Sequence, residues 1–435
     1  MKNLQFKHER GSDASRATST QNQTVQPAKA ANFGGGCWGG AGTLRGLRVS
    51  VLGRRCAAAL TATLVLLAPS ACKRATTPPA AVQVAVKPPQ APAAMAALYA
   101  ESGAAGMVAT VVDGDDVTTQ GFGRIGPKDP RQPDGRTVVR LQSISKLFAS
   151  DLLASLVAQG KVKLTDPLLA HAPAGWAPPK GNKTDAQISL VSLATHTSGM
   201  PREAGIDPPL TPAAYIPARW AWLARETGRP APGAQALYSN VGFELLGDAL
   251  ANVTGKSYGD ALDMAVTGPL GMVDTTAQPT AEQCGRLLAP DPRRAPYPCV
   301  DQSGEAASGG LYSTAADMAL WMKAQLAAGA PTTRRTISQS IYVQRAALAR
   351  AVGLDHAGPA SGIGLAWIQE DADPTHPRIL EKTGGGDGFL TYIVIDPAHR
   401  VGVFVAFNNM TGHRLGLVAR DSNALVGLLG AKRAN

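Results

Sequence analysis

The sequence is poor in the patterns that build metal and nucleotide sites. Its seven histidines are scattered without the spacing of metal ligands, so we expect no metal centre. Neither triple-glycine run, at 34–36 and 384–386, ends in the Lys-Ser/Thr pair of a phosphate-binding loop. The sequence therefore predicts an activity that needs no cofactor.

Acidic residues are nearly missing from the first hundred positions, which hold twelve Lys/Arg and two Asp/Glu. This stretch accounts for the whole formal net charge of +10, because thirty basic residues face thirty acidic ones from residue 101 onward. The remaining body is near neutral and lacks the basic footprint of a nucleic-acid-binding protein.

The leader also lacks an apolar run long enough for a comfortable membrane-spanning helix. Its apolar stretch, 56–68, follows several arginines and precedes Pro69-Ser70-Ala71-Cys72. This order predicts a secretory signal peptide at residues 44–72 and an exported protein. Cys72 resembles a lipid-attachment site, but Pro69 stands where an aliphatic residue is usual, so plain cleavage is preferred over a lipid anchor.

The segments around the signal define the predicted domain limits. Residues 1–43 are polar and then glycine-rich, which predicts a disordered extension and a translation start nearer Leu44 or Val49. Residues 73–93, rich in Ala, Pro and Val, are expected to form a linker. Residues 94–432 are expected to form one catalytic body.

Cysteine is scarce in that body, which contains only Cys284 and Cys299 of the five in the chain. An oxidising compartment favours pairing them, and closing a loop of roughly 15 residues stabilises a fold by about 3 kcal/mol. Two free thiols in a loop are the alternative.

Period-two apolar patterns occur near both ends of the body. Segments 106–112 and 117–122 flank an Asp-Gly-Asp turn, and segments 389–395 and 401–407 flank a second turn. Helical patterns lie between them, from Leu147 to Val157 and after Asn240 and Thr314. We therefore expect an α/β (α+β) fold whose antiparallel sheet comes from 94–140 and 360–432, with a helical region between.

Ser143 and Lys146 stand three residues apart, on one face of a helical turn. A serine hydroxyl needs a base within hydrogen-bond reach, and a lysine can be that base only if burial or nearby cations lower its pKa well below ~10.4. The Ser-x-x-Lys pattern is weak alone, since 70–73 in the leader is a second match. Its meaning depends on partners elsewhere.

Two further motifs offer such partners. Tyr238 could pass the serine proton to a leaving amine, and Asn240 could orient Lys146 and the substrate. The alternative for this motif is a capped helix start with a surface tyrosine. Lys382 and Thr383 on a strand edge can bind a substrate carboxylate, although a glycine-rich hairpin with a solvated lysine would look the same.

Two backbone amides complete the predicted site, since the N–H groups of Ser143 and Gly385 would form an oxyanion hole. His196 invites a Ser-His-Asp interpretation. It precedes Ser198-Gly199 at what looks like a helix end, so a structural hydrogen-bonding role is preferred.

Ser-x-x-Lys, Tyr-x-Asn and Lys-Thr-Gly, in this order, resemble the three signature elements of penicillin-binding proteins and serine β-lactamases. The Tyr-x-Asn form is similar to the class C branch, and so are segments 188–201, 269–272 and 308–318. The resemblance implies a β-lactamase/transpeptidase-like fold, with an antiparallel sheet flanked by helices beside a helical domain. The site would lie at their junction.

Segments 193–203, 231–235, 282–284 and 381–386 further resemble the AmpH type of D-alanyl-D-alanine carboxypeptidase/endopeptidase. This implies a periplasmic enzyme that acts on peptidoglycan muropeptides and takes β-lactams as covalent inhibitors or slow substrates. A class C-like β-lactamase or an esterase is the alternative, because all three share one acylation apparatus. A penicillin-recognising sensor without turnover is the non-enzymatic alternative.

Overall fold

The computed structural model describes residues 91–176, 187–206, 211–289, 299–354, 356–386, 388–408 and 414–433. The predicted extension, the signal peptide with Cys72, and the linker as far as residue 90 lie outside the described residues. Residues 91–93 open the first helix, where alanines and a proline in the first turn favour helix formation. Within the described ranges, no helix is both long and apolar enough to cross a membrane.

Five of the described strands are eight residues long, and the others are shorter. They are β1 Gly106–Asp113, β2 Asp116–Gly123, β3 Val138–Arg140, β4 Ala236–Leu237, β5 Tyr312–Thr314, β6 Ile341–Gln344, β7 Ala351–Val352, β8 Gly362–Gly364, β9 Ile368–Glu370, β10 Ile379–Gly386, β11 Phe389–Asp396 and β12 Val401–Asn408.

Along the chain, most of the described helices lie between β3 and β8. They are α1 Ala91–Ser102, α2 Ser145–Ala158, α3 Leu190–Ala194, α4 Pro212–Arg225, α5 Asn240–Thr254, α6 Tyr258–Leu262, α7 Gly268–Leu270, α8 Ala281–Cys284, α9 Ala315–Gln325, α10 Thr333–Gln339 and α11 Leu415–Ala431.

Eight of the described strands form one antiparallel sheet in the order β2-β1-β12-β11-β10-β9-β8-β6. Strands from the two ends of the chain meet where β1 pairs with β12. Both predicted hairpins are confirmed, β1 with β2 and β11 with β12. The helix predicted after Ser143 is confirmed as α2.

The sheet is covered by helices on both faces, because its strands are apolar on both sides. In β1, Val108 and Val112 join a core with α2, α5 and α9. Met107, Ala109 and Val111 join a second core with α1 and α11. This alternation fixes the register, since a slip of one residue would exchange the two faces.

The sheet differs from the predicted one at two places. The edge strand β6 lies before residue 360, in the region expected to be helical; it is short, half-buried and irregular in register, so its pattern is weak. Conversely, β3 leaves the main sheet and pairs with β5.

A disulfide joins Cys284 and Cys299.

Strand β10 is paired on only one side along its second half. It pairs with β11 from Leu380 to Gly386, but its pairing with β9 ends at Glu381. Residues 382–386 therefore have a free strand edge. The turn before α2 packs on the face of the sheet at Gly384, where an added Cβ would lie 2.6 Å from the carbonyl oxygen of Leu141.

Candidate active site

Ser143 lies in a 3₁₀ turn, Gln142–Ile144, that leads directly into α2. The backbone of Gln142 is in the left-handed region, at φ 53°, a conformation that costs a residue with a side chain about 1 kcal/mol or more. The Gln142 side chain donates to the carbonyl oxygen of Gly386, at 3.1 Å. The turn is thereby tied to the free edge of β10, and Ser143 is half-buried beside it.

Lys146 is completely buried one helical turn after the serine. Its Nζ donates to Asn240 Oδ1 at 2.7 Å and to the carbonyl oxygen of Ser308 at 2.6 Å, and lies 3.4 Å from Ser143 Oγ. Burial lowers the pKa of Lys146 from 10.5 to about 7, against the opposing effect of the nearby Glu244 carboxylate. A large part of this lysine is therefore neutral at pH 7 and able to accept a proton.

Tyr238 contacts the serine through its phenol hydroxyl. Its hydroxyl donates to Ser143 Oγ at 2.5 Å. Three basic side chains lie over its ring, with Lys146 Nζ 4.8 Å, Arg202 Cζ 4.9 Å and Lys382 Nζ 5.4 Å from the ring centroid. The Ser143 hydroxyl thus has two side chains within reach, Lys146 and Tyr238, that can exchange a proton with it.

His196 does not contact the serine in the described structure; it supports the tyrosine. Its ring stacks on Tyr238 with centroids 4.6 Å apart, and its Nδ1 accepts a hydrogen bond from the Ser239 amide at 3.0 Å. Burial, assisted by Lys146 and other cations, lowers the pKa of His196 well below 6.5. The histidine is therefore neutral at pH 7 and has the structural role that the sequence favoured.

Asn240 is the first residue of α5, after Ser239, whose side chain caps the helix. Its amide oxygen faces Lys146, and its Nδ2 donates to Glu203 Oε1 at 2.7 Å. Because Glu203 can only accept, the amide has one orientation, with its oxygen towards the lysine.

Lys382 and Thr383 lie at the start of the free edge of β10. Lys382 is buried, and its Nζ donates to the carbonyl oxygen of Thr383 at 3.0 Å. Burial lowers the pKa of Lys382, and the cations Lys146 and Arg202 act in the same direction. Thr383 is half-buried, while Gly385 is exposed at the end of the strand.

Two residues behind the lysine escaped the sequence analysis. Ser308 contributes a backbone oxygen to Lys146, and a backbone group leaves no signature in a sequence. Its side chain donates to Glu244 Oε1 at 2.9 Å. Glu244 stands four residues after Asn240 in α5, and this spacing, which places both on one helical face, was the available signal.

A model of the Beta-lactamase family matches residues 91–428 of the chain. The D-alanyl-D-alanine-carboxypeptidase/endopeptidase AmpH of Escherichia coli (strain K12) is 39% identical over 313 residues, which cover 71% of this chain and 80% of that protein.

The crystal structure of a beta-lactamase/D-alanine carboxypeptidase from Yersinia pestis superposes with a TM-score of 0.71 and 38% identity, over 76% of this chain and 95% of that one. A class C beta lactamase from Rhodobacter sphaeroides, 24% identical, shares the fold with a TM-score of 0.62 over 77% of this chain and 97% of its own. The expected β-lactamase/transpeptidase-like fold is thereby confirmed. The chain belongs to the beta-lactamase family and is a serine hydrolase of the group that includes AmpH.

Proposed function

We propose that this protein is a periplasmic serine D,D-carboxypeptidase/endopeptidase that acts on peptidoglycan peptides through an acyl-enzyme. The observation that carries the proposal is one serine hydroxyl held by Tyr238 at 2.5 Å, with the buried Lys146 at 3.4 Å. The similarity to a relative named for this activity supports the choice of substrate.

In the proposed acylation step, Ser143 Oγ attacks the carbonyl carbon of the penultimate D-alanine as its proton passes to neutral Lys146. The backbone N–H groups of Ser143 and Gly385 stabilise the negative oxygen that forms. The carbon–nitrogen bond then breaks, and the leaving amine takes a proton through Tyr238. An ester on Ser143 and a free amine result.

Deacylation repeats the chemistry with water. Lys146 and Tyr238 together remove a proton from the water as it attacks the ester carbonyl. The proton returns to Ser143 Oγ when the ester bond breaks. Asn240 holds Lys146 in place in both steps, since its amide oxygen accepts from Nζ.

The free edge of β10 suits the extended end of a peptide. Lys382 and Thr383 would bind the terminal carboxylate of the substrate, with the lysine ammonium supplying the charge. An endopeptidase action on cross-linked dimers uses the same acyl donor with a longer leaving amine.

β-Lactams are proposed as covalent inhibitors or slow substrates of the same serine. A β-lactamase activity is the second candidate, favoured by the double designation of the Yersinia pestis protein, 38% identical, as beta-lactamase/D-alanine carboxypeptidase. Export by the 44–72 signal would bring the body to its substrate, with plain cleavage preferred and attachment to the membrane through Cys72 as the alternative.

Mass spectrometry of muropeptide digests tests the proposal. The exported protein should remove the terminal D-alanine from pentapeptides and split cross-linked dimers, and a prior β-lactam treatment should abolish both. Ser143→Ala is the control and should be inactive. Intact muropeptides together with fast nitrocefin turnover would instead establish a β-lactamase, and labelling of Ser143→Ala by fluorescent penicillin would refute the assignment of the nucleophile.

A further inference from the structure

A continuous path of hydrogen bonds connects the proposed base with a buried carboxylate on another helix. Lys146 Nζ donates to the backbone oxygen of Ser308 at 2.6 Å, and the hydroxyl of the same serine donates to Glu244 Oε1 at 2.9 Å. Lys146, Ser308 and Glu244 are exposed by only 0%, 4% and 3%. In such a dry environment a carboxylate acts strongly on a nearby ammonium.

Glu244 is not required to neutralise its other neighbour, Arg219. That guanidinium already pairs with both oxygens of Asp248, at 2.6 and 2.7 Å, and donates to the carbonyl oxygen of Gly304 at 2.7 Å. Its contact with Glu244 Oε2 is longer, at 3.4 Å. Of these two partners, the Ser308 hydroxyl is the closer one to Glu244.

We propose that Glu244 is a positioning residue for Lys146: it fixes Ser308, whose carbonyl oxygen holds the lysine Nζ, and its charge sets how much of the lysine is neutral. The inference rests on the proposed role of Lys146 as the base. It assigns a function to a carboxylate that does not touch the substrate.

Electrostatics agree with the geometry. Among the charged groups around Lys146, Glu244 has the largest effect and raises the pKa of the lysine, against the larger lowering by burial. Burial raises the pKa of Glu244 to about 7, while the charge of Arg219 and, to a smaller extent, the hydrogen bond from Ser308 lower it. The two groups therefore titrate together near neutral pH.

Other titratable groups face this pair and remain in place in the variants below. They are Arg219, Tyr215, Asp248, Glu305 and Glu203 around the carboxylate, and Glu203, Arg202, Glu305, Tyr238, His196 and Lys382 around the lysine.

The test is the pH dependence of acylation, measured as single-turnover labelling by fluorescent penicillin from pH 5 to 9. Glu244→Gln keeps an oxygen for Ser308 and removes the charge. Without that charge the protonated lysine is less stable. The acid limb of the rate profile, in which the acylation rate rises with pH, should therefore move to lower pH by half a unit or more. At pH 6 the variant should then reach about threefold more of its own maximal rate than the wild type does.

Asp151→Asn is the matched control, since Asp151 is a buried carboxylate of α2 that bonds Trp321 and Gln325. It should lower the melting temperature without moving the acid limb. The proposal would be overturned if the acid limb of Glu244→Gln stayed where it is in the wild type. It would also be overturned if the only changes were a lower melting temperature and a lower rate at every pH.

If Glu244→Gln does not fold, Ser308→Ala decides. Loss of the hydroxyl leaves Glu244 less ionised, so the limb should again move to lower pH, and an unmoved limb would refute the link. A wild type that fluorescent penicillin does not label at all would refute the proposed function instead, so the two failures are distinguishable.

Discussion

Gly384→Ala should disable the site without touching any reacting group. A Cβ at this position would lie 2.2 Å from Thr391 Oγ1 and 2.6 Å from the carbonyl oxygen of Leu141. These two atoms are hydrogen-bonded to each other at 2.8 Å and join the sheet to the turn before Ser143. Relief of both contacts requires a displacement on the order of 1 Å between turn and strand, because ordinary carbon–oxygen contacts exceed about 3 Å.

A displacement of this size costs about 100-fold in rate when it separates catalytic groups from a bound substrate. We expect the acylation rate of Gly384→Ala to fall by about this factor, with a loss of about 1–3 kcal/mol in the free energy of unfolding from overpacking. Stopped-flow acylation by nitrocefin and urea unfolding measure the two quantities.

Two comparison variants separate the clash from the general effect of a methyl group. At Gly385 an added Cβ meets only a side-chain carbon of Leu390, at 3.8 Å, and the backbone N–H is kept, so Gly385→Ala should lose less than Gly384→Ala. At Gly416 an added Cβ meets nothing within 4 Å, and Gly416→Ala should acylate like the wild type. Wild-type acylation by Gly384→Ala would refute the packing argument.

Three further outcomes are expected. Acylation by the wild type should rise by about tenfold per pH unit below pH 7 and level off above, because the neutral form of Lys146, whose pKa is lowered to about 7, is the base; a limb near pH 4–5 in the rate profile would point to a carboxylate instead. Tyr238→Phe should slow acylation by about 10²–10⁴-fold with unchanged melting temperature, as a lost general acid does, and a loss below tenfold would contradict this. Replacing Cys284 and Cys299 by serine should lower the free energy of unfolding in urea by about 3 kcal/mol, leaving acylation intact; equal stability would show that the disulfide does not constrain the unfolded chain.

Local patterns made much of the fold predictable. The alternation in 106–112 and 401–407 gave the strands that join the two ends of the chain, and the spacing from Leu147 to Val157 gave α2. Strand β6 escaped because three half-buried residues and one exposed residue with irregular register carry no clear period. Its pairing depends on β8, which is distant in sequence.

The candidate site was predictable where side chains carry the chemistry. The structure links Asn240, Lys146, Ser143 and Tyr238, in this order, by three hydrogen-bond contacts. The oxyanion hole of Ser143 and Gly385 stays a prediction. Ser308 was out of reach of sequence reasoning, because it binds Lys146 through a backbone oxygen that every residue type possesses.

The free edge of β10 also bears on whether copies of the chain can pair through their sheets. An unpaired strand invites pairing with another copy of the chain, and long apolar edges are sites of aggregation. Here the open stretch covers only residues 382–386, and the turn before α2 packs on the face of the sheet at Gly384. The outer strand β2 has the polar residues Asp116 and Thr119 at two of its four exposed positions, and β6 at the opposite border is short and irregular. Strand addition is therefore limited at each border of the described sheet in a different way, while residues 382–386 of β10 keep an edge without a partner among the described strands.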